Sequence, residues 1–169
     1  VLAFCDFKQH YSYKGKTLNN GFLIEIESKK IIIDSLSQPH TCKIDDELVY
    51  LCDSETKSLK IYKENKLIEN IKLNAYTRGL YIDNNYIYVG LSKSRVSDTE
   101  EQSKIAVLDK TSLNIVFIIN IPCDEIYNIL SYPKENNFIF EVYRGNTKML
   151  FYQYSRYNAL KQLLNKSEF

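Results

Sequence analysis

The sequence contains few of the residues that carry chemistry: no tryptophan, one methionine and two histidines among 169 residues. No apolar run approaches the roughly 20 residues that a membrane-spanning helix needs, so we expect no membrane span. Five glycines and three prolines are too few for a collagen-like or low-complexity chain. The sequence also lacks the motifs of a serine-hydrolase elbow, a phosphate-binding loop and a dinucleotide-binding loop. No short motif therefore argues for catalysis or for nucleotide binding.

Neither sign of charge is in excess. The 22 basic and 21 acidic residues give a formal net charge of +1, whereas a general nucleic-acid binder needs a basic face that displaces counterions. We therefore expect no nucleic-acid partner. Two histidines at unrelated positions, with no carboxylate cluster at ligand spacing, predict no metal site, and nothing in the sequence indicates a cofactor. The 44% hydrophobic content excludes a disordered chain.

The four cysteines do not form a recognisable site. No two of them have the C-x-x-C spacing of a metal or redox motif, as their positions show: Cys5, Cys42, Cys52 and Cys123. A chain of this length does not need disulfides for stability, so we expect free thiols in a reducing, cytoplasmic compartment. The chain begins at Val1, inside an apolar segment that is typical of an interrupted strand. We therefore expect a fragment, with any targeting segment upstream.

Strand-like segments dominate the chain, and they repeat. Residues 48–54 (LVYLCDS) align with residues 86–92 (YIYVGLS), and each segment follows a short polar turn. The residues that precede these turns, Ile44 and Ile82, are 38 positions apart. Residues 138–141 (FIFE) follow another polar turn and occupy the same place in a later repeat.

Between these segments lie hairpins with polar turns, at residues 22–34, 59–71 and 105–121. Each repeat is thus predicted to hold four short antiparallel strands in ~40–50 residues, which is the period of a propeller blade. The apolar runs at residues 31–33 and 116–119 are continuous, which indicates sheets that are covered on both faces. A parallel sheet would explain such runs equally well, but it needs crossover helices that no pattern here provides.

The sequence therefore predicts an all-β fold: a partial β-propeller of about three to four four-stranded antiparallel blades, taken from a larger propeller. Residues 1–155 form the predicted propeller segment, which divides into a partial blade at 1–35, whole blades at 36–73 and 74–122, and a partial blade at 123–155. The tail, residues 156–169, is predicted to contain a short C-terminal helix, because four apolar residues recur there at helical spacing: Tyr157, Leu160, Leu163 and Leu164.

An ordered set of motifs resembles the uncharacterised bacterial family known as domain of unknown function 4915. The motifs are SQPHT at residues 37–41, LVYLCDS at 48–54, YTRGL at 76–80, VGLSKSR at 89–95 and DEIY at 124–127. The resemblance implies a β-propeller and no established activity. This chain differs from the family pattern at Asp124, where arginine is usual, and at Asn128, where aspartate is usual.

The repeat alignment places one polar residue of each unit at the same distance from the following turn: His40, Arg78 and Asn128. Because the first strand of each blade lines the central channel, we expect these three side chains to lie at one level. Arginine binds carboxylate or phosphate through paired hydrogen bonds, and histidine exchanges a proton near neutral pH. They are candidates for binding an anionic or polyhydroxylated ligand. The alternative is that they hydrogen-bond inner-strand backbone groups and channel waters.

Ser92 and Arg95 are weaker ligand-binding candidates, because they border a long polar loop whose composition is equally typical of a solvated surface segment.

Two functions remain open. The first is a non-catalytic binding or interaction module for a small polar or anionic ligand or a protein partner. The second is an enzyme acting on a polar or anionic small molecule, including saccharide derivatives, with His40 as general acid or base and Arg78 as the anion clamp.

Overall fold

The computed structural model describes residues 2–3, 15–93, 102–132, 137–143 and 149–155, with side chains described for residues 15–93 and 102–131. Within these ranges the chain is made of strands and turns and contains no helix. The predicted C-terminal helix at residues 156–169 lies outside the described residues. The strands are β1 (Leu2–Ala3), β2 (Gly21–Ile24), β3 (Ile31–Leu36), β4 (Pro39–Asp45), β5 (Leu48–Asp53), β6 (Ser58–Lys63), β7 (Lys66–Lys72), β8 (Tyr76–Ile82), β9 (Tyr86–Ser92), β10 (Ser103–Asp109), β11 (Ile115–Ile121), β12 (Glu125–Tyr132), β13 (Asn137–Tyr143) and β14 (Met149–Ser155).

The strands form four antiparallel sheets in which neighbours in sequence are also neighbours in space. Sheet 1 contains β1–β3, sheet 2 contains β4–β7, sheet 3 contains β8–β11 and sheet 4 contains β12–β14. Short polar turns make this order possible. For example, Glu64 and Asn65 connect β6 to β7 with φ angles of 49° and 62°, the left-handed conformation that two-residue hairpins require. The predicted all-β class with antiparallel sheets is confirmed.

The inner strands β9 and β10 of sheet 3 are covered on both faces. The two apolar runs that predicted such burial are only partly covered: Ile31, Val116 and Ile118 are 55%, 43% and 42% exposed, because β3 and β11 are outer strands of their sheets. On β10, Ala106 and Leu108 pack with residues of sheet 2 such as Leu59, whereas Ile105 and Val107 pack with sheet 4 residues such as Ile129. Adjacent residues of a strand point to opposite faces, so both sets are buried. A third cluster joins sheets 1 and 2 through Leu23, Ile33, Leu36, Leu51 and Tyr62. Each fully buried aliphatic side chain stabilises the fold by about 1.5–3 kcal/mol.

The first strands of sheets 2, 3 and 4 lie side by side. The Gly79 amide of β8 donates to Thr41 Oγ1 of β4 at 3.2 Å. On its other side, a Cβ added to Gly79 would lie 3.1 Å from the Cα atom of Asn128 in β12. Gly79 has a φ angle of +70°, so glycine serves both the backbone conformation and the close approach of the two strands.

Two serines at matching positions of the repeat connect consecutive sheets. The hydroxyl of Ser54, the residue directly after β5, donates to the Thr77 carbonyl oxygen of β8 at 2.5 Å. Ser92, at the end of β9, accepts from the Ile126 amide of β12 at 3.0 Å and donates to the carbonyl oxygen of the same residue at 3.3 Å. Sheets 2 and 3 thus each share a buried serine hydrogen bond with the first strand of the sheet that follows.

The cysteines Cys42, Cys52 and Cys123 are free, which confirms the prediction of free thiols for these three residues. Cys52 is fully buried, and this burial raises the pKa of its thiol from 9.0 to about 12. Burial also raises the pKa of the Cys123 and Cys42 thiols. Because the thiolate is the reactive species, these residues are poor nucleophiles at neutral pH.

We expect Cys52 to be alkylated at pH 8 at least ~100-fold more slowly in the folded protein than in urea, because its thiol stays protonated and buried. Peptide mass spectrometry after timed iodoacetamide treatment measures the rate, with half-buried Cys42 as the internal comparison. Modification of Cys52 as fast as of Cys42 would contradict the prediction.

The same shift makes stability depend on pH. Since the unfolded thiol ionises near 9.0 and the folded one near 12, the stability that Cys52 contributes falls as pH rises between these values.

Among the described residues there is no helix with the length and apolar character that a membrane crossing requires.

Candidate functional site

Arg78 connects sheets 3 and 4 through its guanidinium group. Its Nη1 donates to Glu125 Oε2 at 2.7 Å, and the two side chains are only 9% and 16% exposed. The Cζ atom lies 5.1 Å from the centre of the Tyr76 ring and 4.7 Å from the centre of the Tyr127 ring. The cation is therefore held by two aromatic rings and by a carboxylate from the neighbouring sheet.

One atom of this arginine is left unsatisfied. Arg78 Nε is buried and is the one buried side-chain nitrogen or oxygen without a hydrogen-bond partner in the described part of the chain. A buried donor without a partner costs about 1–3 kcal/mol. Folded proteins contain few such atoms, and those that persist often mark a site with a role other than stability. Arg78 is thus the strongest single indication of a functional site.

His40 is oriented by hydrogen bonds at its Nδ1 atom. Nδ1 lies 2.9 Å from the Gln38 carbonyl oxygen and 2.8 Å from Ser54 Oγ. A carbonyl oxygen only accepts, and the Ser54 hydroxyl hydrogen is already donated to Thr77. Nδ1 therefore carries the hydrogen, which leaves Nε2 as the basic nitrogen of the neutral ring.

Tyr76 brings His40 and Arg78 into one group. The His40 ring meets the Tyr76 ring edge-on, with centroids 5.4 Å apart and an interplanar angle of 71°, while Arg78 lies over the same tyrosine. The Tyr76 hydroxyl donates to the side-chain oxygen of Gln38, whose Nε2 donates to Thr17 Oγ1 at 2.7 Å. We call the group the arginine–tyrosine cluster; its members are His40, Tyr76, Arg78, Glu125 and Tyr127.

Asn128 occupies a different structural position from the other two predicted channel residues. His40 and Arg78 lie where the strand pairing is interrupted, between Pro39 and Cys42 in β4 and between Thr77 and Leu80 in β8. The matching interruption in β12 falls between Ile126 and Asn128, and Asn128 itself pairs with Glu141. Its side-chain oxygen accepts from the Ile129 amide at 3.0 Å. Counting residues back from each hairpin gives His40, Arg78 and Asn128 the same position. The bulge in β12, however, lies farther from its hairpin than the bulges in β4 and β8 do, so Asn128 follows the bulge instead of lying within it.

The weaker candidates have separate surroundings. Ser92 is buried, and its hydroxyl is engaged with both backbone groups of Ile126. Arg95 lies outside the described residues. Asp53, which was not among the predicted site residues, has a fully buried carboxylate that accepts from the Ser37 amide at 2.5 Å and from Thr56 Oγ1 at 2.8 Å. It also lies 2.6 Å from Lys60 Nζ, so its acceptor positions serve the turn after β5 and the β6 lysine.

Sequence reasoning missed the partners of Arg78: Tyr76, Tyr127 and Glu125. All three lie in segments that the resemblance had already marked, YTRGL at residues 76–80 and DEIY at residues 124–127. The available signal was a tyrosine two positions from a charged residue in each motif, with the charge positive in one motif and negative in the other. The period of the repeat gives no indication that a cation lies against both of these tyrosine rings.

The cluster offers aromatic surface and hydrogen-bonding groups, and it offers no ligand set for a metal. No group of three or more histidine, cysteine or acidic side chains that could hold a metal ion occurs within the ranges that the structure describes. Tyr127 is 44% exposed, so its ring is the most accessible aromatic surface of the cluster. An arrangement of aromatic rings with a few oriented polar groups is typical of small-molecule binding sites.

The fold is that of an all-β protein built from consecutive antiparallel sheets of up to four strands, stacked face to face. The chain belongs to the family described as Domain of unknown function (DUF4915), whose profile matches residues 1–146. The family membership confirms the resemblance seen in the motifs. No curated protein matches the chain.

Among solved structures, the computationally designed Ika4 protein is similar in fold, with a TM-score of 0.54 and 11% sequence identity over 79% of this chain and 78% of that chain. KlHsv2 with loop 6CD replaced by a Gly-Ser linker gives a TM-score of 0.46 at 12% identity, covering 73% of this chain and 38% of that chain. The designed Ika8 protein gives 0.42 at 10% identity, covering 80% and 53%. At these identities the likeness to Ika4 concerns the fold alone.

Proposed function

We propose that this chain is a non-catalytic β-propeller binding module whose small polar ligand contacts the arginine–tyrosine cluster. The propeller part of the proposal is supported by the order of the sheets. Each of the strands β4, β8 and β12 begins a sheet, and the three lie next to one another. Blades that radiate from a central channel have their first strands in this arrangement.

The observation that carries the binding proposal is the environment of Arg78. The chain keeps a buried guanidinium with an unsatisfied Nε atom, although an apolar residue would fill this space without that cost. The same guanidinium lies against Tyr127, which is 44% exposed. Arg78 thereby fixes an aromatic ring at the surface, where a ligand can stack on it.

A metabolite-library screen by thermal shift on the full chain tests the proposal. We expect Tyr127→Ala and His40→Ala to weaken the hits about tenfold, which corresponds to ~1.4 kcal/mol of binding free energy. Tyr81→Ala is the matched control, because this half-buried tyrosine of β8 contacts the ring of Tyr88 rather than Arg78. The control should change affinity less than about twofold. Hits that are unaffected by both cluster variants, or the absence of hits, would contradict the proposal.

The second candidate function is an enzyme that acts on a polar or anionic small molecule. It is favoured by the anchored Nδ1 atom of His40, which presents Nε2 as a base. Incubating each hit with the protein and following it by mass spectrometry separates the two functions. Chemical turnover that His40→Ala abolishes would replace the non-catalytic proposal, whereas unchanged hits support it.

We also propose a cytoplasmic location. Three unpaired cysteines support it, because free thiols persist in reducing compartments.

A further inference from the structure

The two charged side chains of the arginine–tyrosine cluster neutralise each other. Arg78 Nη1 is bound to Glu125 Oε2 at 2.7 Å, and Arg78 Nε is buried out of reach of solvent. A guanidinium that recognises carboxylate or phosphate does so through two adjacent N–H groups. Of the two edges that a bidentate anion contact could use, the side edge needs Nε and Nη2, and Nε is enclosed. The end edge needs Nη1 and Nη2, and Nη1 is already bound to Glu125.

An anionic ligand at this site would also meet the negative charge of Glu125. Because the Glu125 side chain is only 16% exposed, water screens its charge weakly, and this charge cancels the attraction that Arg78 alone would exert on an anion. Displacing Glu125 would give no relief, since it would leave this carboxylate without its arginine partner. The pair therefore disfavours the anions that an isolated arginine would attract.

The remaining features of the site fit an uncharged ligand with hydroxyl groups. The Tyr127 ring is 44% exposed and is braced from one side by Arg78. Such a ring packs against the C–H face of a sugar ring, while planar polar side chains nearby pair with the hydroxyls.

We infer that the arginine–tyrosine cluster binds an uncharged polyhydroxy compound, a sugar or a polyol, and that Glu125 makes the site selective against the corresponding anions. The inference rests on the proposed binding function and narrows its ligand class. Glu125 is assigned as a residue that determines specificity through charge, in addition to holding Arg78.

Matched sugar pairs test the inference on the full chain. Glucose and glucuronate, and galactose and galacturonate, differ in one carboxylate group and are compared by saturation-transfer NMR and calorimetry. We expect the neutral member of at least one pair to bind with a Kd at least ~10-fold below that of its uronate. Binding of the neutral sugar should fall about tenfold in Tyr127→Ala and stay within about twofold in Tyr81→Ala.

Glu125→Gln examines the charge itself, because glutamine still accepts a hydrogen bond from Arg78 but carries no charge. The preference for neutral sugar over uronate should shrink about tenfold in this variant. Glu47→Gln is the control: Glu47 belongs to an exposed ion pair with Lys63 on sheet 2, and its loss should leave the preference unchanged. A preference that Glu125→Gln does not alter would overturn the role of Glu125.

The outcomes separate the inference from the proposed function. If uronates bind the wild-type chain more tightly than neutral sugars, with loss in Tyr127→Ala, the inference is overturned and the binding function stands. If no sugar binds while the metabolite screen yields Tyr127-dependent hits of another class, the inference again fails alone. If neither experiment yields a ligand that depends on the cluster, both fail.

Discussion

Replacing Arg78 by methionine is expected to lower the free energy of unfolding by about 3–5 kcal/mol, because it leaves the Glu125 carboxylate buried without its partner. Both side chains are largely enclosed, at 9% and 16% exposure, so solvent compensates for little of the lost interaction. The two tyrosine rings also lose the cation between them. Urea denaturation followed by circular dichroism measures the change.

The double variant Arg78→Met with Glu125→Met shows whether the single variant is destabilised by the unpaired Glu125 charge or by the loss of packing around Arg78. Since the uncompensated charge is removed together with its partner, the double variant should recover most of the stability that the single variant loses. The control is Lys63→Met, which breaks a pair whose side chains are 50% and 77% exposed and should have no measurable effect. A double variant as unstable as the sum of the two single variants would contradict this account.

Gly90→Ala is expected to destabilise the fold by about 3 kcal/mol or more, because the position has no room for a Cβ atom. The added atom would lie 2.0 Å from the Arg78 carbonyl oxygen and 2.8 Å from Ile126 Cγ2. The first neighbour is backbone of the adjoining strand β8 and cannot turn aside as a side chain could. The contact therefore forces β8, β9 and β12 apart at the point where the cluster is held.

Gly15→Ala is the comparison for this substitution. Nothing lies within 4 Å of a Cβ atom there, and the residue has a φ angle of +72°. The same chemical change should cost about 1–2 kcal/mol, the strain of a left-handed conformation. Chemical denaturation of the two variants measures both effects. Equal losses at the two positions would show that Gly90 is required for backbone conformation or chain entropy rather than for space.

The repeat in the sequence was sufficient to predict the strands and their antiparallel class. The aligned segments at residues 48–54 and 86–92 correspond to β5 (Leu48–Asp53) and β9 (Tyr86–Ser92), because apolar runs bounded by polar turns have few alternatives in short antiparallel sheets. The continuous apolar runs were less informative, since Ile31, Val116 and Ile118 lie on outer strands and are exposed, whereas both faces of the inner strand β10 are buried.

The same reasoning could predict only part of the candidate site. His40 and Arg78 could be selected from the repeat, but the partner of Arg78 is 47 positions away in another sheet. No local pattern contains that information. The bulges were equally hidden, because one extra residue in a strand changes which side chains share a face without changing the composition. The position of Asn128 relative to Arg78 depends on such a bulge in β12.

The serine bridges between consecutive sheets have a consequence for how the protein comes apart. Ser54 and Ser92 each hydrogen-bond the backbone of the sheet that follows, and apolar clusters span the same pairs of sheets. Detaching one sheet therefore breaks these bonds and exposes apolar surface on its neighbour to water. Denaturation is then a collective event, in which neighbouring repeats unfold together instead of peeling away one at a time.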